Sequence, residues 1–186
     1  KFAISLAGVY QKENAVLALN ALEELDRLGW TTTMEQRKDG LLHTSWKGRF
    51  TVINKKPLFI VDGAHNAGAA DKMAESVRHY FNGKKLIYIM GVFADKEYKI
   101  VLEKTAHFAE KIYTIETPDN PRALPAEELA KAARVYNSSA ESTKSIKDAV
   151  EKAFSCAGDD ENSVILAFGS LSFIGALTNA VEEYVG

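Results

Sequence analysis

Past residue 48, short apolar runs alternate with amphipathic stretches. Residues 49–54 and 58–62 are β-rich runs parted by a tight turn around Lys55-Lys56, which predicts a hairpin. Apolar periodicity then predicts a helix over 67–81, a strand over 85–90, a helix over 97–109, a strand over 111–116 and a helix over 125–136. A short strand at 139–142, a helix over 144–157, a strand over 163–168 and a helix over 171–185 complete the series. Strands that alternate with helices imply an α/β fold: a mostly parallel sheet with one antiparallel strand from the hairpin, and helices on both faces.

The first 47 residues follow a different pattern. Ala15, Ala18, Leu19, Leu22 and Leu25 fall on one face of a helix over 12–28, with Gly29 as its stop. Thr32 and Glu35 have capping-box spacing, so a second, short helix runs to about Leu42. A boundary near His43–Lys47 divides the chain into 1–43 and 44–186. The chain opens on alternating Phe2, Ile4 and Leu6, without a methionine, and reads as part of something longer.

Composition narrows the class. The net charge is −2, and the 23 Lys and Arg are scattered, which argues against a nucleic-acid surface built on clustered phosphate contacts. No run approaches the roughly 20 apolar residues of a membrane span. The single cysteine, Cys156, has no internal disulfide partner and reads as a core residue near a helix end; a reducing, cytoplasmic setting is the expectation.

Ligands in open α/β sheets bind beyond the carboxyl ends of the strands. Four loops there are rich in polar and small residues: 62–66, 91–96, 117–122 and Gly169-Ser170. With a turn on Lys55-Lys56, residue 54 faces 57 and Arg49 faces Asp62, with Cβ atoms about 5 Å apart. A guanidinium suits phosphate and a carboxylate suits ribose hydroxyls, although the same pair reads equally as a structural ion pair. Asn66 is a good N-cap, and His65 beside it either orients an anion at the helix start or hydrogen-bonds to a loop carbonyl. Ser170 either caps the last helix or presents its hydroxyl to an anionic substrate. Neither Gly-x-Gly-x-x-Gly nor a P-loop occurs, and Asp95, Lys96 and Arg122 have no assigned role.

Trp46-Lys47-Gly48-Arg49-Phe50 followed by Asp62-Gly63-Ala64-His65-Asn66 resembles two motifs of the Mur ligase superfamily. The stretches Gly91–Glu97, Asn120–Leu124 and Gly169–Leu171 resemble its folylpolyglutamate/dihydrofolate synthase branch, as does the lead-in Gly8–Ala15. Lys47 departs from the family's usual proline. The resemblance implies a Rossmann-like carboxy-terminal glutamate-ligase domain after the tail of an amino-terminal ATPase domain. It implies that Asn14, Arg49 and Asp62 contact ATP, that His65 and Ser170 place L-glutamate, and that His65 is the catalytic candidate. Dihydropteroate or folates would be the acceptor, Mg2+ would be held by the chain's own amino-terminal ATPase domain, and the protein would act as a monomer. Two rival readings are a non-catalytic α/β binding module and a nicotinamide-dependent oxidoreductase, the latter weakened by the absent glycine fingerprint.

Overall fold

The computed structural model describes residues 1–186. Two helices come first, α1 (Gln11–Arg27) and α2 (Met34–His43). The hairpin β1 (Thr51–Lys55) and β2 (Leu58–Val61) follows, then α3 (Ala67–Tyr80), β3 (Lys85–Met90), α4 (Tyr98–Thr105) and β4 (Lys111–Thr114). The chain ends with α5 (Ala126–Ala133), β5 (Ala140–Ser142), α6 (Ile146–Ala157), β6 (Ser163–Phe168) and α7 (Ile174–Val185). Short 3-10 turns at Ala106–Phe108 and Leu171–Phe173 take up part of the stretches the periodicity assigns to helix.

The six strands form one sheet in the order β1-β2-β6-β3-β4-β5. Every neighbouring pair is parallel except β1 with β2. β3 and β6 lie at the centre and are wholly apolar apart from their first residues and Tyr88, as a strand covered on both faces must be. One apolar core lies under α3, α4 and α5 and includes Met73, Val77, Leu102 and Leu129. A second, on the opposite face, lies under α6 and α7 and includes Val150, Phe154, Leu177 and Val181. The helix that follows β6 therefore covers the other face from those that follow β2 and β3. That reversal opens a crevice at the carboxyl ends of these strands.

Both cores draw only on residues from Phe50 onward. In α1 only Gln11 is buried, and Leu17, Leu28 and Trp30 are about 70% exposed or more. Amphipathic spacing in α1 is real, but its apolar face is only partly covered: Ala15, Leu19 and Leu22 are half-buried, and Ala18 and Leu25 are exposed. The capping box also sits one residue later than the spacing predicts. Thr33 Oγ1 accepts from Gln36 N–H at 3.1 Å, and Gln36 Oε1 accepts from Thr33 N–H at 2.8 Å. Thr32 is held by Asp26 instead, its N–H donating to Oδ1 at 2.9 Å.

The hairpin corrects a second expectation. Its loop is Lys56-Pro57, so Lys55 pairs with Leu58, and an irregularity between Val52 and Asn54 shifts the register again. Beyond it Thr51 pairs with Val61. Continued outward, that register sets Phe50 across from Asp62, and the expected opposition of Arg49 and Asp62 does not form.

Candidate functional site

Asp62 directly follows β2, is 5% exposed, and accepts three hydrogen bonds. Ala64 N–H reaches Oδ1 at 2.8 Å; Phe50 N–H and the Tyr10 hydroxyl reach Oδ2 at 2.9 and 3.1 Å. Burial pushes the carboxyl above its usual range, and these donors, with the nearby Arg49 charge, oppose that shift. Burial, reinforced by Asp62, holds the Tyr10 phenol well above its ordinary range, so it stays a donor.

Phe50 carries its N–H to Asp62 through an unusual turn. Gly48 has φ +78 and Phe50 φ +47, the left-handed region that bulky residues rarely occupy. The ring is buried against Tyr80 and Phe81, with centroids 5.8 and 6.0 Å away. That packing offsets a backbone cost on the order of 1–2 kcal/mol. The turn leaves the half-buried Arg49 over Gly63, where a Cβ would overlap the guanidinium. Arg49 makes no ion pair, and its guanidinium has one long hydrogen bond, to Gly48 O at 3.4 Å, so its charge is free for a ligand.

His65 follows in the same loop. Its Nδ1 lies 2.7 Å from Gly63 O, and a carbonyl can only accept, so Nδ1 carries the proton. In the neutral ring Nε2 is then the acceptor, and no protein donor meets it. Asn66 caps α3, its Oδ1 accepting from Ala69 N–H at 2.9 Å.

Two clefts share His65 as a common wall. One, of about 300 Å3, is lined by Tyr10, Arg49, Asp62 and Lys72 among others. The second, of about 270 Å3, lies between His65, Phe93, Lys96, Arg122 and the segment Gly169–Ser172. Its walls carry Lys96, which makes no ion pair, and Arg122, whose charge is shared with Asp95, so Lys96 is the cation open to a small anionic ligand. Ser170 is buried there; its Oγ accepts from Ser172 N–H at 3.3 Å and lies 2.8 Å from Ser172 Oγ. The larger hollow, of about 520 Å3, lies at the opposite end of β2 and β6 around Lys56 and Asp160, where parallel strands begin. The loops that carry Arg49, Asp62, His65 and Ser170 gather at the other edge, where ligands bind in open α/β sheets.

The loops after β3 and β4 are tied to each other. Ala94 N–H donates to Arg122 O at 2.8 Å and Leu124 N–H to Val92 O at 3.0 Å. Arg122 grips Asp95 through Nε and Nη2, at 3.2 and 2.5 Å, and its guanidinium lies 4.8 Å from the centre of the Phe93 ring. This clamp fixes the wall that carries Lys96.

The fold thus gathers Arg49, Asp62, His65 and Ser170 on one edge. Asn14 stands apart: it is exposed, donates to Gln11 Oε1 at 2.9 Å, and lines a different, apolar hollow with Leu6, Leu41 and Trp46. Sequence reasoning missed Tyr10, whose contact spans 52 positions. It also left Phe93, Lys96 and Arg122 without roles, although their place after strand ends was the available signal. No three His, Cys, Asp or Glu side chains gather to hold a metal ion. No helix is long and apolar enough to cross a membrane.

A model of the Mur ligase glutamate ligase domain matches residues 48–171. The dihydrofolate synthase/folylpolyglutamate synthase of Bacillus subtilis (strain 168) is 29% identical over 179 residues, 96% of this chain and 40% of that protein. The structure of Mycobacterium tuberculosis folylpolyglutamate synthase complexed with ADP and AMPPCP superposes with a TM-score of 0.82 at 25% identity, over 99% of this chain and 41% of that one. Folylpolyglutamate synthase from Thermotoga maritima gives 0.76 at 26% identity, over 98% and 41%. This chain therefore spans about two fifths of the length of these relatives.

Proposed function

The chain belongs to the Mur ligase glutamate ligase domain family, and on that footing we propose that it is the carboxy-terminal part of an ATP-dependent amide ligase joining L-glutamate to dihydropteroate or folyl-glutamates. One observation carries this reading. A cleft with the unpaired Lys96 shares the His65 wall with a cleft holding Arg49 and Asp62. An anionic amino acid and a nucleotide would then lie on either side of one side chain.

In the reaction, ATP passes its γ-phosphoryl to the pteroate or folyl carboxylate, giving ADP and an acyl phosphate. The glutamate amine attacks that carbonyl carbon, loses a proton and expels phosphate. Magnesium supplies positive charge to the phosphates when bound. Neither a phosphate-cradling loop nor a metal cluster exists here, so both are assigned to an amino-terminal ATPase domain. The partly exposed apolar face of α1, with Asn14 on the same helix, is assigned to contact that domain and the nucleotide base.

Within this chain, Arg49 offers an unpaired guanidinium to phosphate, and Asp62 offers acceptors to ribose. Lys96 and Ser170 hold the glutamate carboxylates, on a wall that Arg122 fixes through Asp95. His65 Nε2 accepts from the glutamate amine and helps to hold it for attack.

The test uses the full-length protein. Phosphate release should require ATP, acceptor and glutamate together, and His65→Ala should raise the apparent KM for glutamate more than that for ATP. Equal rises for both, or none, would remove His65 from the glutamate site. Absence of turnover with all three substrates would favour the non-catalytic binding module.

A further inference from the structure

The hydrogen bonding of Asp62 leaves little room for a diol. Two carboxylate oxygens offer about four acceptor positions. Oδ2 is filled by Phe50 N–H and the Tyr10 hydroxyl, and Oδ1 has one position left beside Ala64 N–H. A vicinal diol held through both hydroxyls asks for two positions, so one present donor must leave. Phe50 N–H is fixed by the buried ring and the start of β1, and Ala64 N–H by the tight turn after β2. Only the Tyr10 hydroxyl, half-buried and just before α1, can withdraw without rebuilding the local main chain.

We infer that Tyr10 is a positioning residue whose hydroxyl competes with the ribose diol of a nucleotide for Asp62 Oδ2. The inference rests on the proposed role of Asp62 as the ribose contact.

A consequence follows for α1. Its start is fastened to the sheet domain by three contacts: Val9 N–H to Ser76 Oγ at 3.2 Å, Lys72 Nζ to Glu13 Oε2 at 2.8 Å, and Tyr10 to Asp62. Yielding Oδ2 removes one of the three, so diol binding loosens α1 from the sheet. By reciprocity, whatever holds α1 against the sheet opposes the diol. A hydroxyl that competes with the ligand has a distinctive sign: deleting it tightens binding. A tyrosine that only supports the fold would weaken binding when cut back.

ADP and 2′,3′-dideoxy-ADP titrated into the 186-residue chain, followed by NMR shifts, test this. Wild type should prefer ADP. Tyr10→Phe and Tyr10→Leu should each tighten ADP at least threefold and leave dideoxy-ADP unchanged, and Asp62→Asn should abolish both the preference and the Tyr10 effect. If wild type prefers ADP but neither Tyr10 variant tightens it, the exchange is wrong and the ribose role of Asp62 survives. If wild type does not distinguish the two nucleotides, the ribose role falls and the exchange falls with it.

Discussion

Gly169 and Gly91 meet main chain to main chain: a Cβ built on Gly169 would overlap the Gly91 carbonyl. Gly91 N–H donates to Phe168 O at 3.3 Å beside this approach, so the ends of β6 and β3 form a tight floor under the cleft that holds Lys96. Gly169 also has φ +117, a region L side chains rarely adopt.

Gly169→Ala should therefore cost at least about 2 kcal/mol, from backbone strain plus the overlap. For a chain of this length that lowers Tm by roughly 4 °C or more. Thermal unfolding followed by circular dichroism is the measurement. An unchanged Tm would mean that the two strand ends separate freely.

Tyr88 points the other way. Its side chain is fully buried, edge-on to Phe168 at 5.0 Å, and its hydroxyl has no hydrogen-bond partner. A buried, unsatisfied hydroxyl costs on the order of 1 kcal/mol or more. Tyr88→Phe should thus raise Tm by about 2–4 °C. A lower Tm would show that the hydroxyl is satisfied after all.

Arg49 and Asp62 should separate function from stability. Arg49 has one long contact to a carbonyl, so Arg49→Ala should leave Tm within about 1–2 °C while lowering full-length turnover at least tenfold, about 1.4 kcal/mol. Asp62→Ala should lower turnover as well, but it leaves two buried N–H groups and a phenol without their acceptor. Its cost to folding should be on the order of 2–4 kcal/mol. Normal kinetics in Arg49→Ala would remove Arg49 from the ATP site.

Glu141 on β5 joins three elements. It accepts from Lys111 Nζ of β4 at 2.8 Å and Lys152 Nζ of α6 at 2.6 Å, and these ammonium groups hold its carboxyl at about 2, below the ordinary 4.5. A carboxyl lowered in the folded state adds stability above its unfolded value, and that contribution fades as pH falls from about 4.5 towards 2. Glu141→Gln should therefore melt below wild type at pH 7, with the gap closing near pH 2. A gap independent of pH would mean that packing, not charge, is responsible.

The 186-residue chain should fold by itself, since both cores are complete without α1 and α2. Incubated with ATP, magnesium, a folate acceptor and glutamate, it should release no phosphate above background, because no Gly-x-x-x-x-Gly-Lys loop is present to cradle the γ-phosphate. Steady release abolished by Asp62→Ala would place a complete site in these residues.

The alternating architecture was legible in the residues, because burial on both sheet faces forces apolar runs such as Val164–Phe168. The edge where the polar loops gather was legible too, since parallel strands all deliver their loops to one end. Periodicity says nothing about which residue spends itself in a turn. The Lys56-Pro57 loop and the shift near Ile53 therefore moved the hairpin register and set Phe50, not Arg49, across from Asp62. The same limit hid contacts between distant residues. Tyr10 meets Asp62, and Arg122 meets Asp95, only because the chain returns to one place in three dimensions. Tertiary structure alone decided that His65 would wall two clefts at once: the helices after β2 and β6 cover opposite faces of the sheet, and the crevice between them opens beside His65.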